Sequence, residues 1–479
     1  MSLAAPAAAA PLRAETLSYD LAPHGLALAV FAICAFSPAV LNDSDTWSHI
    51  ATGEWILAHH AVPHYDPFTF SVGGRPWTAH EWLSEILLAL AFKAGGFIGV
   101  ALMTGAAAAA AVFVISRGAA RELGGFPLAA IGGLALLLIA PSLLARPHVL
   151  ALPVLALWTE TLFLARARDR SPPLAAAPLM TLWANLHGGF AFGLALLAAL
   201  ACEAVFDAPR LRKLVVARDW GLFALASIAA ALVTPFGFES LLFPVRLLGL
   251  HALSQIGEWG PETFVHPNAL EAAMLGLLGL ALARPVRLAP IRLAILIGLF
   301  HLSLSHARHE MLLAVVAPML LARPLAETLA APAEPARRSS RTALAALVAI
   351  ALAISLIRLF LPAPTTPEFS STRAALAALP PSVKARPVLN GYAFGGYLIF
   401  EGVKPFVDGR ADLFGDAFLR DYAEIARGEP EALNAVLKRE HIGWTMFSPE
   451  QGAVAAMDAL PGWRRAFADP RVVVHVRAD

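Results

Sequence analysis

Two aspartates, Asp43 and Asp45, follow directly after a long apolar segment of the chain. A carboxylate at such a membrane boundary is costly unless it is paired or has a function. A positioned carboxylate can remove the proton of an attacking hydroxyl group, and we expect Asp45 to act as this base. Asp43 is expected to hold a metal or to raise the pKa of Asp45 by like-charge proximity. The alternative, compatible with the first, is that one of them caps a helix over residues 46–60.

The same stretch of sequence is rich in aromatic and histidine side chains. Residues 47–82 contain four of the ten tryptophans, and Trp47 and His49 stand just beyond Asp45. Aromatic rings beside carboxylates suit the faces of sugars, so Trp47 is predicted to pack a sugar and His49 to steer the proton. Tryptophans also anchor proteins at membrane interfaces, which is the alternative interpretation. His80 and Glu81 close the stretch as further candidate substrate-binding residues.

Three short turns add arginine and histidine in otherwise apolar surroundings. They contain the candidate substrate-binding residues Arg146, His187, Arg308 and His309. A guanidinium makes paired hydrogen bonds to phosphate, so Arg146 and Arg308 are predicted to bind one in a common cavity. The alternative is that both arginines extend to lipid headgroups. No His-Glu-x-x-His spacing occurs, so a histidine metal site is disfavoured. No cofactor is certain, and a divalent ion such as Mg²⁺ or Mn²⁺ remains open.

These groups must be positioned by elements that lie in lipid. The 479 residues are 58% hydrophobic and 15% charged, which excludes a disordered chain, a coiled coil and an ordinary cytosolic enzyme. The net charge of +1 gives no indication of a nucleic-acid partner. About eleven segments are long and apolar enough to cross a bilayer: 22–41, 97–116, 126–145, 148–165, 173–186, 189–206, 220–236, 268–283, 288–305, 309–323 and 342–361.

The loops between these segments predict their orientation. Alternate loops carry fifteen and four basic residues, and the positive-inside rule places the first set in the cytoplasm. The N-terminus is then cytoplasmic, while the loop 42–80 and everything after residue 361 lie outside. Eleven of the fifteen histidines fall on that outer side, which predicts an ionisable cavity there.

The chain divides into three parts by composition. Residues 1–20 are predicted to be a disordered cytoplasmic N-terminus, and 21–361 the transmembrane core. From residue 365 onward the charged fraction doubles, so 362–479 is predicted to be a soluble periplasmic α/β domain. Strands are expected at 387–390, 397–400, 442–447 and 471–477, with helices at 416–427, 430–440 and 449–460. The predicted fold class is therefore mainly α, a polytopic helical bundle with a small outer α/β domain.

The order of several motifs resembles bacterial membrane proteins of the glycosyltransferase C superfamily, near the protein-mannosyltransferase-like enzymes. The motifs are Asp-x-Asp-x-Trp-x-His-Ile-x-x-Gly at 43–53, Pro-x-x-Asp-Pro-Phe-x-Phe at 63–70 and Pro-Trp-x-x-His-Glu-Trp-Leu at 76–83. Shorter matches follow at 185–189, 235–237, 258–259 and 408–410. The resemblance spans nearly the whole chain.

The resemblance implies transfer of a sugar from a polyprenyl-phosphate donor to an acceptor at the outer leaflet. An acidic residue at the start of the first outer loop then acts as base or orients the acceptor, which falls on Asp45 or Asp43. The expected partners are the lipid-linked donor, membrane lipid and an unknown envelope acceptor, in the bacterial inner membrane. The alternative is a non-catalytic transporter or assembly factor for envelope polysaccharide. Ionisable residues gathered at one face favour an interfacial enzyme over a conduit. The Asp408–Asp412 turn is expected to be structural or to mediate docking.

Overall fold

The computed structural model describes residues 21–251, 259–332, 341–363 and 366–478. The predicted disordered N-terminus, 1–20, lies outside the described residues. Glu258 of the short match at 258–259 does so as well.

The first three quarters of the chain form a helical bundle, as the apolar segments predict. Seven helices of the described residues, each taken with its flanking turn, are long and apolar enough to cross a membrane, and four shorter apolar helices stand at the other predicted spans. The helices are α1 (Leu21–Phe36), α2 (Ser44–His59), α3 (Trp82–Ala119), α4 (Gly125–Ile139), α5 (Pro147–Ala167), α6 (Pro178–Leu186), α7 (Phe190–Asp207), α8 (Lys213–Ala231), α9 (Phe238–Leu248), α10 (Ala269–Ala283), α11 (Pro290–Ser305), α12 (Glu310–Leu329) and α13 (Arg341–Leu359).

The long helix α3 organises the bundle by packing against α1, α2 and α5. It is interrupted by a kink at Gly95 and Gly96. Gly96 has a φ of 57°, a left-handed conformation that glycine adopts without steric cost. The kink changes the direction of the helix between its first turns and the predicted span 97–116.

Buried ion pairs lie at the ends of the spans that carry the predicted cytoplasmic arginines. Glu160 of α5 pairs with Arg117 and Arg121, which lie at the end of α3 and just beyond it. Glu203 of α7 accepts hydrogen bonds from Arg166 and Arg292, which joins α5, α7 and α11. A buried carboxylate needs such partners, because losing one leaves an uncompensated charge.

The C-terminal part is the α/β layer that its alternating pattern predicts. It contains α14 (Pro367–Ala377), α15 (Pro381–Lys384), β1 (Val388–Asn390), α16 (Gly395–Phe400), α17 (Ala411–Arg427), α18 (Pro430–Arg439), β2 (Trp444–Phe447), α19 (Gly452–Asp458), β3 (Trp463–Ala468) and β4 (Val473–Arg477). The sheet order is β1-β2-β4-β3, with β1 and β2 parallel and the other pairs antiparallel.

One predicted element of this domain was wrong, and strand β3 was not predicted. Residues 397–400 belong to helix α16 and do not form a strand. Gly396 of this helix packs its backbone against α2, where a Cβ would lie 2.1 Å from the Ser44 carbonyl oxygen. The sequence of β3 shows no continuous apolar run, and four of its six residues are exposed.

The C-terminal domain docks on the loop between α2 and α3. Trp77 of that loop and Trp259 share a buried apolar cluster with residues of the domain core. Arg410 bridges the buried carboxylates of Asp408 and Asp66, at 2.6 and 2.9 Å. Its guanidinium also stacks on Trp77, 4.5 Å from the ring centre. The Asp408–Asp412 turn is therefore a docking contact.

Candidate functional site

The two aspartates stand at the beginning of α2. Asp43 occupies the N-cap position, but its side chain makes no capping hydrogen bond. Instead Arg146, the residue before α5, donates hydrogen bonds to the carboxylates of both Asp43 and Asp45. Burial opposes ionisation of Asp43, but the Arg146 guanidinium prevails and holds its pKa below the usual value. Arg146 thus connects both aspartates to the start of α5.

The C-terminal domain closes over Asp45 from the opposite side. A Cβ at Gly409 would lie 1.9 Å from Asp45 Oδ1, so only glycine leaves room for the carboxylate at this position. The Tyr392 hydroxyl donates to the Gly409 carbonyl at 2.9 Å, which fixes the turn. Asp45 is therefore held between Arg146 and the docked domain.

Glu81, immediately before α3, is surrounded by histidines from three segments. Its Oε1 lies 3.6 Å from Nε2 of both His80 and His187, and its Oε2 lies 3.9 Å from Nε2 of His49. On its other side His49 places Nδ1 3.3 Å from Glu85 Oε1. The His49 ring consequently bridges two carboxylates.

The hydrogen bonds of these rings indicate where their protons are. His80 Nδ1 donates to the Thr78 carbonyl at 3.3 Å, so its Nε2 lone pair faces Glu81. The Gly189 N–H donates to His187 Nδ1 at 3.0 Å, so the proton of that neutral ring is on Nε2, towards Glu81. His80 therefore offers Glu81 a hydrogen-bond acceptor, and His187 offers it a donor.

Burial and charge perturb the pKa values of the cluster in opposite directions. Burial raises the pKa of Glu81 to about 7 against the lowering effect of His49 and Arg308. Burial lowers the pKa of His80 to about 3 and that of His187 well below its usual value. Burial also opposes the charge on His49, but its hydrogen bond to Glu85 and the nearby carboxylates raise its pKa to about 8. Such perturbed groups in one cavity are typical of functional sites.

These groups line one cavity of about 530 Å³ between the bundle, α2, α9 and the C-terminal domain. Arg308, between α11 and α12, stacks on Trp259 with its guanidinium carbon 4.1 Å from the ring centre. A second cavity of about 350 Å³ adjoins the first, and both are lined by His148, Arg308 and Met311. The second cavity reaches Leu137 of α4, whose side chain is exposed on the bundle surface. Arg308 therefore stands where the two cavities meet.

Nine of the ten residues proposed from the sequence lie together in the larger cavity. They are Asp43, Asp45, His49, His80, Glu81, Arg146, His187, Arg308 and His309. Trp47 is not brought to it, because its side chain points to the other face of α2. There it stacks on Phe369 of α14 at 4.6 Å and packs edge-on against Tyr397.

The structure adds lining residues that the sequence analysis did not single out. Glu85 lies one turn after Glu81 on the same helix face, and this spacing was a signal that could have identified it. Asp412 and Arg410 reach the cavity from the docking turn, and burial raises the pKa of Asp412 to about 6. Only the docking of the domain brings these two residues to the site.

One oxygen of each of Asp43 and Asp45 is bound by the Arg146 guanidinium, which supplies positive charge at that position. In the described part of the chain, no three histidine, cysteine or acidic side chains are grouped so that they could hold an ion. We therefore assign no step to a metal.

Comparisons with known proteins agree with this architecture. The oligosaccharyltransferase of Archaeoglobus fulgidus in its apo form aligns over 89% of this chain and 69% of its own, with a TM-score of 0.55 and 13% identity. The chain shares the fold of this transferase. Its complex with zinc and sulfate aligns over 95% and 73% of the two chains, with a TM-score of 0.50 and 12% identity.

A third structure, ArnT of Cupriavidus metallidurans bound to undecaprenyl phosphate, aligns over 95% of this chain and 97% of its own. Its TM-score is 0.47 and its identity 14%. No protein-family model matches the sequence. A search of curated proteins likewise finds no match.

Proposed function

We propose that this protein transfers a hexosyl or pentosyl group from a polyprenyl-phosphate donor to an envelope glycan, lipid or protein. The reaction takes place at the periplasmic face of the bacterial inner membrane. The position of Arg308 between the two cavities carries the proposal. A lipid-linked sugar has an apolar tail, an anionic phosphate and a polar head. Arg308 offers a cation to the phosphate, the second cavity leads the tail past Met311 and Leu137 to the bundle surface, and the larger cavity with its acids and histidines takes the head.

The acceptor then approaches from the side of α2 and the C-terminal domain. Asp45 faces this part of the cavity with its carboxylate fixed by Arg146, and we assign it the role of orienting the acceptor hydroxyl. The shared fold with an oligosaccharyltransferase supports the choice of a transferase over a conduit. In addition, the perturbed ionisable groups gather in a cavity at one end of the bundle.

Binding of undecaprenyl phosphate to the purified protein tests the proposal. A hydrogen bond to a charged group contributes about 1.5–3 kcal/mol, so Arg308→Ala should weaken binding by roughly 10- to 150-fold. The matched control is Arg246→Ala on α9, because that side chain is exposed and pairs with Glu239 outside the cavity. If Arg308→Ala binds the lipid as the wild type does, the proposal is wrong and the non-catalytic alternative is favoured.

A further inference from the structure

The transfer proposed above requires a base that removes the proton of the acceptor hydroxyl, so the following assignment rests on the proposed function. We propose that Glu81, and not Asp45, removes the proton of the acceptor hydroxyl, with His49 and Glu85 as positioning residues. Glu81 lines the same cavity as Arg308 and lies 3.6 Å from Nε2 of His187.

Asp45 is poorly suited to accept a proton. Its carboxylate accepts a charge-assisted hydrogen bond from Arg146, so one of its oxygens is already bound to a cation. Accepting a proton would also break the ion pair and leave the buried Arg146 with one carboxylate fewer. Glu81, in contrast, has no arginine or lysine within ion-pair distance among the described residues, and its nearest charged partners are histidines.

His49, whose ring is hydrogen-bonded to Glu85, favours the ionised form of Glu81. The imidazole of His49 faces Glu81 through Nε2 and Glu85 through Nδ1, an arrangement in which a carboxylate orients a ring that in turn serves the reacting group. Glu85 Oε2 is buried and has no hydrogen-bond partner among the described residues. A buried carboxylate oxygen without a hydrogen-bond partner destabilises the charged form of the group. Glu85 is therefore suited to share the proton of the His49 ring.

The charges around Glu81 place its titration in the neutral range. His49 from α2 and Arg308 from the turn before α12 favour the ionised form, whereas Glu85 and Asp412 from α17 oppose it. The neutral rings of His80 and His187 complete its surroundings. Burial outweighs the two cations and raises the pKa of Glu81 to about 7. This value suits a base at physiological pH.

The step balances without a further reactant. The acceptor oxygen forms a bond to the anomeric carbon while the bond from that carbon to the phosphate oxygen breaks. The polyprenyl phosphate leaves with the electron pair of the broken bond, and the hydroxyl proton moves to the Glu81 carboxylate. Solvent in the open cavity then removes the proton and restores the base.

Calorimetry with undecaprenyl phosphate as the probe tests the assignment without knowledge of the sugar. A bound phosphate adds negative charge near Glu81 and raises its pKa further, so the wild type should take up a fraction of a proton per lipid at pH 7. Titrations in two buffers of different ionisation enthalpy measure this uptake. Glu81→Gln should bind the lipid and lose that uptake, apart from the contribution of the lipid phosphate itself. His49→Gln should move the maximum of uptake to higher pH, because the cation that favours ionised Glu81 is gone.

The control is Glu239→Gln, an exposed acid of α9 that should leave uptake as in the wild type. Unchanged uptake in Glu81→Gln overturns the assignment, and its loss in Asp45→Asn alone returns the role to Asp45. A wild-type protein that does not bind undecaprenyl phosphate instead contradicts the proposed function, so the two failures are distinguishable.

Discussion

Replacement of Arg410 by alanine should release the C-terminal domain from the first outer loop. The guanidinium is the shared countercharge of Asp66 and Asp408, whose side chains are fully buried. Removing one partner of a buried ion pair costs about 3–5 kcal/mol, because the remaining charge has neither solvent nor a countercharge. At 1.36 kcal/mol per factor of ten, the equilibrium constant for opening of this contact should rise by about 10²–10⁴-fold.

Hydrogen exchange at the loop measures this opening directly. The amides of Phe68 and Thr69 donate to the Asp66 carboxylate, and the Asp66 amide donates to the Arg75 carbonyl at 2.9 Å. In Arg410→Ala these amides should exchange faster by the same factor, while amides inside the buried spans keep their rates.

Two further variants make the result specific. Arg410→Lys keeps the charge but loses the fork that binds both carboxylates, so an intermediate increase in exchange is expected. Arg420→Ala removes an exposed arginine of α17 and should leave exchange unchanged. An Arg410→Ala protein whose loop amides exchange within threefold of the wild type would refute the reasoning.

Three more predictions concern packing, orientation and pH. A Cβ at Gly53 would lie 2.0 Å from the Glu85 carbonyl oxygen, so Gly53→Ala should lower the free energy of unfolding in detergent by about 1–3 kcal/mol, whereas Gly276→Ala, in open space on α10, should not. Glu450 is exposed, and we expect a cysteine in its place, in a variant free of native cysteines, to be accessible from outside the cell membrane. It should react with an impermeant thiol reagent added to intact spheroplasts. Labelling only from the cytoplasm would overturn the predicted orientation. His80 is neutral in the fold because burial lowers its pKa to about 3 from 6.5. Its contribution to the free energy of unfolding is therefore lost progressively as the pH falls below 6.5. His80→Gln should consequently lose less stability than the wild type between pH 7 and 5. A steeper loss in His80→Gln would contradict this.

The sequence alone determined the class of fold and the region of the site. Long apolar segments have few stable solutions other than membrane helices, so eleven apolar helices of the described residues lie where hydropathy places them. The arginines of the short turns were recognisable because a charge in apolar surroundings is costly. Nine candidate residues lie in one cavity.

Only the tertiary structure decided how these residues are paired. The sequence does not show that Arg146 binds both aspartates, or that His187 joins Glu81 from a turn more than a hundred residues away. It also does not show that Trp47 faces away from the cavity. Hydropathy and periodicity are local properties of a chain. They indicate that a side chain lies near the end of a predicted span. The packing of the helices and the docking of the C-terminal domain determine which groups come within hydrogen-bond distance, and therefore which carboxylate can accept a proton.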